Sequence, residues 1–155
     1  MASSLPISKV NLVAYFLATR LKKNGALPPY YPQFIDYDIY SDHPFNILAS
    51  TKQLRGANDV DEGFFFSRLN KTTPNGTRIN RCVKGHGTWL QKSKTHQVCI
   101  GKKNVVGMEK YFKFKPVDGG SGNGNEDEWT MHEYSLDGNN EMVLCHITKK
   151  PDFYR

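Results

Sequence analysis

The sequence Pro74–Val98, PNGTRINRCVKGHGTWLQKSKTHQV, combines turn-forming glycines, a tryptophan and many basic side chains. It lies within a segment from Arg68 to Lys115 that contains twelve Lys or Arg residues and one acidic residue, Glu109. That segment carries a net charge of +11, whereas the formal net charge of the whole chain is +6. Because each Lys or Arg placed against a phosphate releases condensed counterions, this clustering favours binding to a polyanion such as nucleic acid.

The whole chain has the composition of a folded protein. Its 155 residues are 38% hydrophobic and 12% aromatic, which predicts a single domain, residues 1–155, with its own core. Three cysteines, an odd number, and an N-terminus without a secretory pattern predict a reducing, intracellular setting. We find no run of about 18 apolar residues, so we predict no membrane span and no membrane partner.

Apolar residues near the N-terminus repeat at helical spacing. The repeating residues are Val10, Val13, Ala14, Leu17 and Leu21. The pattern predicts a helix of about four turns that packs on the core, with Ser8 as its N-cap and Gly25 as its stop. Prolines mixed with aromatics in residues 28–50 then predict an extended connection with short pieces of structure.

From Gly63 onwards the pattern becomes typical of β-strands. The predicted strands are Phe64–Phe66, Thr77–Val83, Thr88–Gln91, Val98–Ile100, a long strand within residues 105–114, Trp129–Leu136 and Met142–Thr148. Lys110, Lys113 and Lys115 alternate with apolar residues, so we expect the long strand to have one apolar face and one basic face.

Turn signals connect these strands. Thr73–Gly76 predicts a hairpin between the first two strands, and Asp137–Asn140 predicts a turn between the last two. Residues 118–128, DGGSGNGNEDE, predict a flexible loop. One helix followed by several strands predicts an α+β fold, a twisted antiparallel β-sheet packed against a few helices.

Arg78, Arg81 and Trp89 are the most informative single residues of the basic segment. The two arginines are three apart, so a regular strand would place them on opposite faces, whereas a bulge or turn would let both reach one nucleic-acid backbone. A tryptophan in this position is more often a core anchor than a platform on which bases stack.

Other clusters give weaker signals. Cys82, His86, His96 and Cys99 have the spacing C-x3-H-x9-H-x2-C, which is not a usual zinc pattern, so we predict no metal and no cofactor. His132 and Glu133 adjoin each other without a nucleophile at a telling spacing, so we predict that the chain is not an enzyme and takes no small-molecule substrate.

The ordered set of these motifs resembles the NAC domain, the DNA-binding domain of a plant-specific family of transcription factors. The resemblance runs from about Leu12 to Lys150 and is carried by blocks such as LVAYFLATRL, PNGTRINR, GHGTWLQKSK and WTMHEYSL. It implies a twisted antiparallel sheet between helices, sequence-specific binding to double-stranded promoter DNA, pairing with a second copy or a related family member, and a location in the nucleus.

The resemblance also implies roles for individual residues. Arg78 and Arg81 match the two arginines of the family's S-R-P-N-R block, which lie against DNA, and Trp89 opens the strand that enters the major groove. With the basic residues around them, the predicted DNA-contacting set is Arg78, Arg81, Lys84, Trp89, Lys92 and Lys94, with Lys103, Lys110 and Lys113 as further phosphate contacts.

Two departures from the family pattern keep an alternative open. The family strand begins W-K-A-T-G, whereas here Leu90 follows the tryptophan, and the family's opening block L-P-P-G-F-R-F-x-P-T-D-E-E is replaced by residues 5–11, LPISKVN. Phosphate contacts position a protein on DNA, while groove contacts specify the sequence. The alternative function is a divergent interaction module that lacks base readout and acts by pairing with other transcription regulators.

Overall fold

The structure, a computed structural model, describes residues 7–22, 33–57, 60–76, 78–117, 127–139 and 141–150. Its N-terminal helix comprises Lys9–Asn11, a π-helical stretch Leu12–Leu17, and Ala18–Leu21, and its second helix is Pro44–Ser50. The strands are β1 Phe34–Asp36, β2 Glu62–Arg68, β3 Cys82–Val83, β4 Gly87–Gln91, β5 His96–Ile100, β6 Asn104–Pro116, β7 Trp129–Leu136 and β8 Met142–Lys149.

All eight strands belong to one sheet. The strand order is β1-β2-β8-β7-β6-β4-β3, and β5 pairs with the same edge of β6 as β4 does. The predicted α+β class, a sheet packed against a few helices, is confirmed, although the sheet is mixed because β1 runs parallel to β2. No helix within the described ranges is long and apolar enough to cross a membrane.

Alternation along the strands gives the sheet two apolar faces. The front face carries Phe65, Trp89, Phe112, Met131 and Cys145 and packs against the second helix. On the opposite side, the back face carries Phe66, Tyr134 and Leu144 and packs against the N-terminal helix. The N-terminal helix covers only part of the back face, and the strand ends near β4 extend beyond it.

The N-terminal helix agrees with the sequence prediction at its start and differs in its buried face. Ser8 is the N-cap, because its Oγ accepts a hydrogen bond from the Asn11 backbone N–H at 3.1 Å. The fully buried residues are Leu12, Val13, Phe16 and Leu17, whereas Val10 and Leu21 at the two ends are only half-buried. A π-helical stretch carries more residues per turn than an α-helix and changes which residues face the sheet. The predicted stop at Gly25 lies outside the described residues.

The second helix, Pro44–Ser50, is one of the short pieces of structure that the connection of residues 28–50 was predicted to contain. Pro44 occupies the first helical position, where a missing N–H costs nothing. His43 caps the helix, since its Nδ1 accepts a hydrogen bond from the Phe45 N–H at 3.0 Å. Ile47 and Leu48 of this helix are fully buried in the front-face core.

The predicted hairpin between Phe64–Phe66 and Thr77–Val83 was wrong. Strand β2 has both of its edges occupied, by β1 and by β8, while β3 pairs with β4. The turn at 73–76 instead closes a short arm, residues 70–76 and 78–80, in which the Thr72 N–H donates to the Arg78 carbonyl at 3.0 Å. Of the predicted loop 118–128, only residues 127 and 128 are described.

Glu109 on β6 joins the N-terminal helix to the back face of the sheet. Its carboxylate accepts a hydrogen bond from Lys9 Nζ at 2.8 Å and contacts His132 Nδ1 at 2.7 Å, and its side chain is 5% exposed. Burial pushes the pKa of Glu109 upward, but the hydrogen bonds from Lys9 and His132 outweigh burial and lower that pKa below its ordinary value of 4.5. The carboxylate therefore stabilises the fold in its ionised form.

We expect this stabilisation to depend on pH. A lowered pKa in the folded state gives stability that is present above the unfolded value and lost as pH falls through the folded value. Glu109→Gln should therefore unfold at lower urea than the parent protein at pH 7, and the difference should shrink once pH drops below 4.5. Urea titrations at several pH values measure the effect. A difference between the two unfolding midpoints that stays constant from pH 7 to below 4.5 would contradict it.

Candidate nucleic-acid interface

Strand β4 lies near the edge of the sheet, where the two-residue strand β3 pairs only with its first residues, and it sets which side chains face outward. Trp89 points into the core with 1% exposure, while its neighbours Thr88 and Leu90 point to the back face. At the start of the strand, a Cβ added to Gly87 would overlap the Lys115 carbonyl oxygen and lie 2.8 Å from Phe114 Cζ. A residue without a side chain is thus needed where β4 meets β6.

In the structure Trp89 is a core anchor and not a platform on which bases stack. Its ring lies 5.0 Å from the ring of Phe114, centroid to centroid, in an edge-to-face arrangement. A side chain buried to this degree does not offer a face on which a base can stack. The buried ring of Trp89 fixes the orientation of β4.

Arg81, which precedes β3, points into the protein. Its guanidinium forms a two-point ion pair with Glu133, Nη1 to Oε1 at 2.5 Å and Nη2 to Oε2 at 3.3 Å. Nη1 also donates to the Tyr40 hydroxyl at 3.0 Å, and Cζ lies 4.3 Å from the centroid of the Phe112 ring. The side chains of Arg81 and Glu133 are 13% and 3% exposed.

This environment keeps Arg81 charged and paired with Glu133. Burial alone would lower the pKa of Arg81, but the hydrogen bond and the charge of Glu133 outweigh it and raise that pKa. The arginine also holds the edge strand, because its carbonyl accepts a hydrogen bond from the Trp89 N–H at 3.1 Å. The geometry thus favours a structural role for Arg81 over direct contact with a nucleic-acid backbone.

Arg78 has a different environment, although it lies three residues away. It is exposed on the same short arm, where Lys71 and Ile79 form an isolated β-bridge. The backbone of Asn80 donates to the Asn70 carbonyl at 2.8 Å and closes the arm. The two arginines therefore do not act as a pair: Arg78 faces solvent and Arg81 faces the core.

Two lysines of the predicted set lie in the connection 92–95 between β4 and β5. Lys92 and Lys94 are exposed, and the backbone of Lys92 is anchored by its N–H donating to the Tyr111 carbonyl at 2.9 Å. Gln91 orders the connection further, since its Nε2 donates to the Ser93 carbonyl at 2.9 Å. An ordered backbone with free lysine ends suits contact with phosphates.

The remaining lysines of the set are spread along the sheet edge. Lys84 is exposed in the turn between β3 and β4, and Lys103 is exposed in the turn between β5 and β6. Since these turns lie at opposite ends of the 13-residue strand β6, about 40 Å separates them. This separation is close to one helical turn of DNA, about 34–36 Å.

The lysines of β6 do not share one face, so the prediction of a single basic face was wrong in part. Lys113 lies opposite Leu90 and Thr130, and Lys115 lies opposite Thr88, all on the back face. Lys110 lies opposite Glu133 on the front face. Residues three apart in a strand point to opposite sides, so only Lys113 and Lys115 extend the basic surface beside β4.

Acidic and basic groups are separated across this part of the molecule. The acids of β6 and β7, Glu109 and Glu133, are buried and paired. In the part of the chain that the structure describes, no ion pair involves the predicted cations other than Arg81. These unpaired cations are Arg78, Lys84, Lys92, Lys94, Lys103, Lys110 and Lys113.

The sequence reasoning missed Tyr40 entirely, and it considered Glu133 without linking it to Arg81. Tyr40 and Glu133, which hold Arg81, are distant from it in sequence and give no local signal. Cys82 lies on β3 and Cys99 on β5, and no group of three or more His, Cys, Asp or Glu side chains that could hold a metal ion occurs among the residues described.

Comparison with known proteins identifies the family. A family model described as No apical meristem (NAM) protein matches residues 7–136. The chain belongs to this family, the NAC-domain family. The resemblance drawn from the motifs is thereby confirmed.

Curated relatives match most of this chain but less than half of their own length. NAC domain-containing protein 30 of Arabidopsis thaliana is 30% identical over 97% of this chain and 48% of its own length. NAC domain-containing protein 101 of the same plant is 33% identical over 90% of this chain and 39% of its own. Protein SOMBRERO, also from Arabidopsis thaliana, is 30% identical over 87% of this chain and 37% of its own.

We expect Arg81→Ala to destabilise the NAC-family fold. Removing the arginine leaves the buried Glu133 carboxylate without its partner, which should cost about 3–5 kcal/mol of unfolding free energy. Arg78→Ala is the matched control, because this exposed residue should change stability by less than about 0.5 kcal/mol. Urea unfolding followed by circular dichroism measures both variants, and equal stability of the two would show that the ion pair is not structural.

Proposed function

We propose that this chain is a sequence-specific, double-stranded DNA-binding domain that regulates transcription in the nucleus. The observation that carries the proposal is the row of exposed, unpaired cations along the edge formed by β3, β4 and β5. Membership of the NAC-domain family supports the same function. Its partner is promoter DNA, and no enzymatic step is part of the proposal.

The charge distribution supports a polyanionic partner. A lysine without an acidic partner loses little interaction free energy when it approaches a phosphate, because no existing ion pair has to be broken. Each such contact releases condensed counterions from DNA, which gives affinity that depends steeply on salt. Since Glu109 and Glu133 are buried, their negative charges do not face the approaching backbone.

The shape of the edge supports a duplex partner. The major groove of B-DNA is about 12 Å wide and admits a two-stranded β-ribbon. The edge ribbon consists of β3 and β4, and only the first residues of β4 are covered by β3. The outer edge from Leu90 onward is not covered by another strand within the described part of the chain, so this portion can enter a groove.

The cations divide into near and distant contacts in this proposal. Arg78, Lys84, Lys92 and Lys94 lie on or beside the edge ribbon and would hold the nearest phosphates, with Lys113 adding to them from the back face. Lys103 would meet the backbone about one helical turn away. Arg81 and Trp89 would act from inside the fold, and Lys110, on the front face, is the least favourably placed.

A second chain is part of the proposal. Family membership supports pairing with another copy or with a related NAC-domain protein, and two copies would read two half-sites on one duplex. Sedimentation velocity of the chain with and without a two-site duplex measures this pairing. A single copy on every duplex would contradict it.

The proposed function is tested by selection from a randomised duplex library, followed by titration of selected and scrambled duplexes. A preference of about a thousandfold or more for the selected site supports sequence-specific binding. Steep salt dependence without any enriched motif would overturn sequence-specific binding. It would favour the alternative, an interaction module that lacks base readout and acts by pairing with other transcription regulators.

The salt dependence also separates direct contacts from structural residues. We expect Lys92→Ala and Lys94→Ala each to lower the slope of log K against log salt by about 0.9, the value for one phosphate contact. Lys52→Ala is the matched control, because Lys52 is exposed in the turn after the second helix. That turn is held to the start of β2, on the other side of the sheet from β4, by the bond from Arg55 to the Glu62 carbonyl. Arg81→Ala should leave the slope unchanged. A slope that falls equally for Lys52→Ala would show that the effect comes from net charge alone.

A further inference from the structure

Leu90 is an apolar side chain on the most basic part of the surface. It lies on β4 with 37% of its area exposed, directly opposite Lys113 and two residues before Lys92. A single exposed leucine is ordinary on a protein surface. Its position on the outward side of the strand proposed to enter DNA makes its chemistry relevant to readout.

The direction of Leu90 is fixed by its neighbours. Trp89 is buried to 1% exposure and Gly87 is held against the backbone of Lys115, so alternation along β4 turns Leu90 outward. The strand has cross-strand partners from Gly87 through Gln91, so Leu90 lies in its regular part. A rotation that hid Leu90 would pull Trp89 out of the core.

The side chain of leucine limits what it can recognise. It has no donor or acceptor, so it cannot bond to the polar edges of bases or to phosphate oxygens. In the major groove, the apolar group offered by a base pair is the C5-methyl group of thymine. The same methyl position is occupied in 5-methylcytosine, while cytosine and uracil lack it.

We propose that Leu90 contacts the C5-methyl group of one pyrimidine in the major groove and makes the affinity of this chain depend on that methyl. The inference rests on the proposed function and names the feature that the edge strand reads. Thymine and 5-methylcytosine both carry this methyl group. Lys92 and Lys113, on either side, would hold the flanking phosphates and bring the leucine to the base.

The experiment uses the duplex enriched from the randomised library and removes one methyl at a time. Each thymine is replaced singly by deoxyuridine, and binding of the whole chain is measured by fluorescence anisotropy. We expect replacement at one position to weaken binding about fourfold, the effect of losing one buried methyl-sized group. Leu90→Ala should bind the thymine and uracil duplexes equally at that position.

A second arm separates the two sources of the methyl. At the sensitive position a C·G pair is introduced, with and without a 5-methyl group. We expect methylation to strengthen binding by the parent protein about fourfold and to leave Leu90→Ala unchanged. Sensitivity to thymine alone, with no response to 5-methylcytosine, would restrict the contact to thymine.

Control variants separate contact from general effects. Ile100→Ala removes another exposed apolar residue, 47% exposed at the far end of the same edge, and should keep the methyl dependence. Leu90→Met keeps an apolar group within reach of the pyrimidine and should retain much of the methyl dependence. Circular dichroism and urea unfolding check that each variant is folded.

The outcomes distinguish this inference from the function it rests on. Sequence-specific binding with the same methyl dependence in the parent and Leu90→Ala proteins would overturn the role of Leu90 and leave the proposed function standing. Binding without any enriched site would overturn both, because Leu90 would then read no base. Methyl dependence that disappears only in Leu90→Ala supports both.

Discussion

The buried ion pair between Arg81 and Glu133 is the interaction on which the basic edge depends. A carboxylate as buried as that of Glu133 needs a paired, hydrogen-bonded cation, because an uncompensated charge inside a protein costs several kcal/mol. The arginine that meets this need belongs to the segment leading into β3, and its carbonyl also bonds to the backbone of Trp89. One residue therefore neutralises the interior and fixes the edge strand in place.

The same pairing shapes the outer electrostatic field. The charge of Glu109 is balanced by Lys9, and that of Glu133 is balanced by Arg81. The lysines of the edge remain without such partners and project a positive field, which concentrates where low-dielectric protein lies behind it. The protein thus keeps its negative charges where they stabilise the fold and its positive charges where a phosphate backbone can approach.

Local patterns predicted the strands well and their partners poorly. Trp129–Leu136 is one of the predicted strands and is observed with the same bounds, because alternation and flanking turns are local properties. Which strand pairs with Phe64–Phe66 depends on contacts with β8, some 80 residues later, and the turn at 73–76 carries no information about them. The inward direction of Arg81 was likewise hidden, since its partners Tyr40 and Glu133 are distant in sequence.

In the proposed function, affinity for DNA and readout of its sequence have separate physical origins on this surface. Lysines such as Lys92 and Lys94 attract any phosphate backbone, and long flexible side chains tolerate small changes in register. A base contact requires a rigid backbone, which Trp89 supplies by anchoring β4 in the core. If only the anchored strand can discriminate among bases, then Leu90, the outward residue next to Trp89, has the greatest influence on which DNA sequence the protein prefers. Replacing a cation there by an apolar group would exchange some general affinity for a preference among pyrimidines.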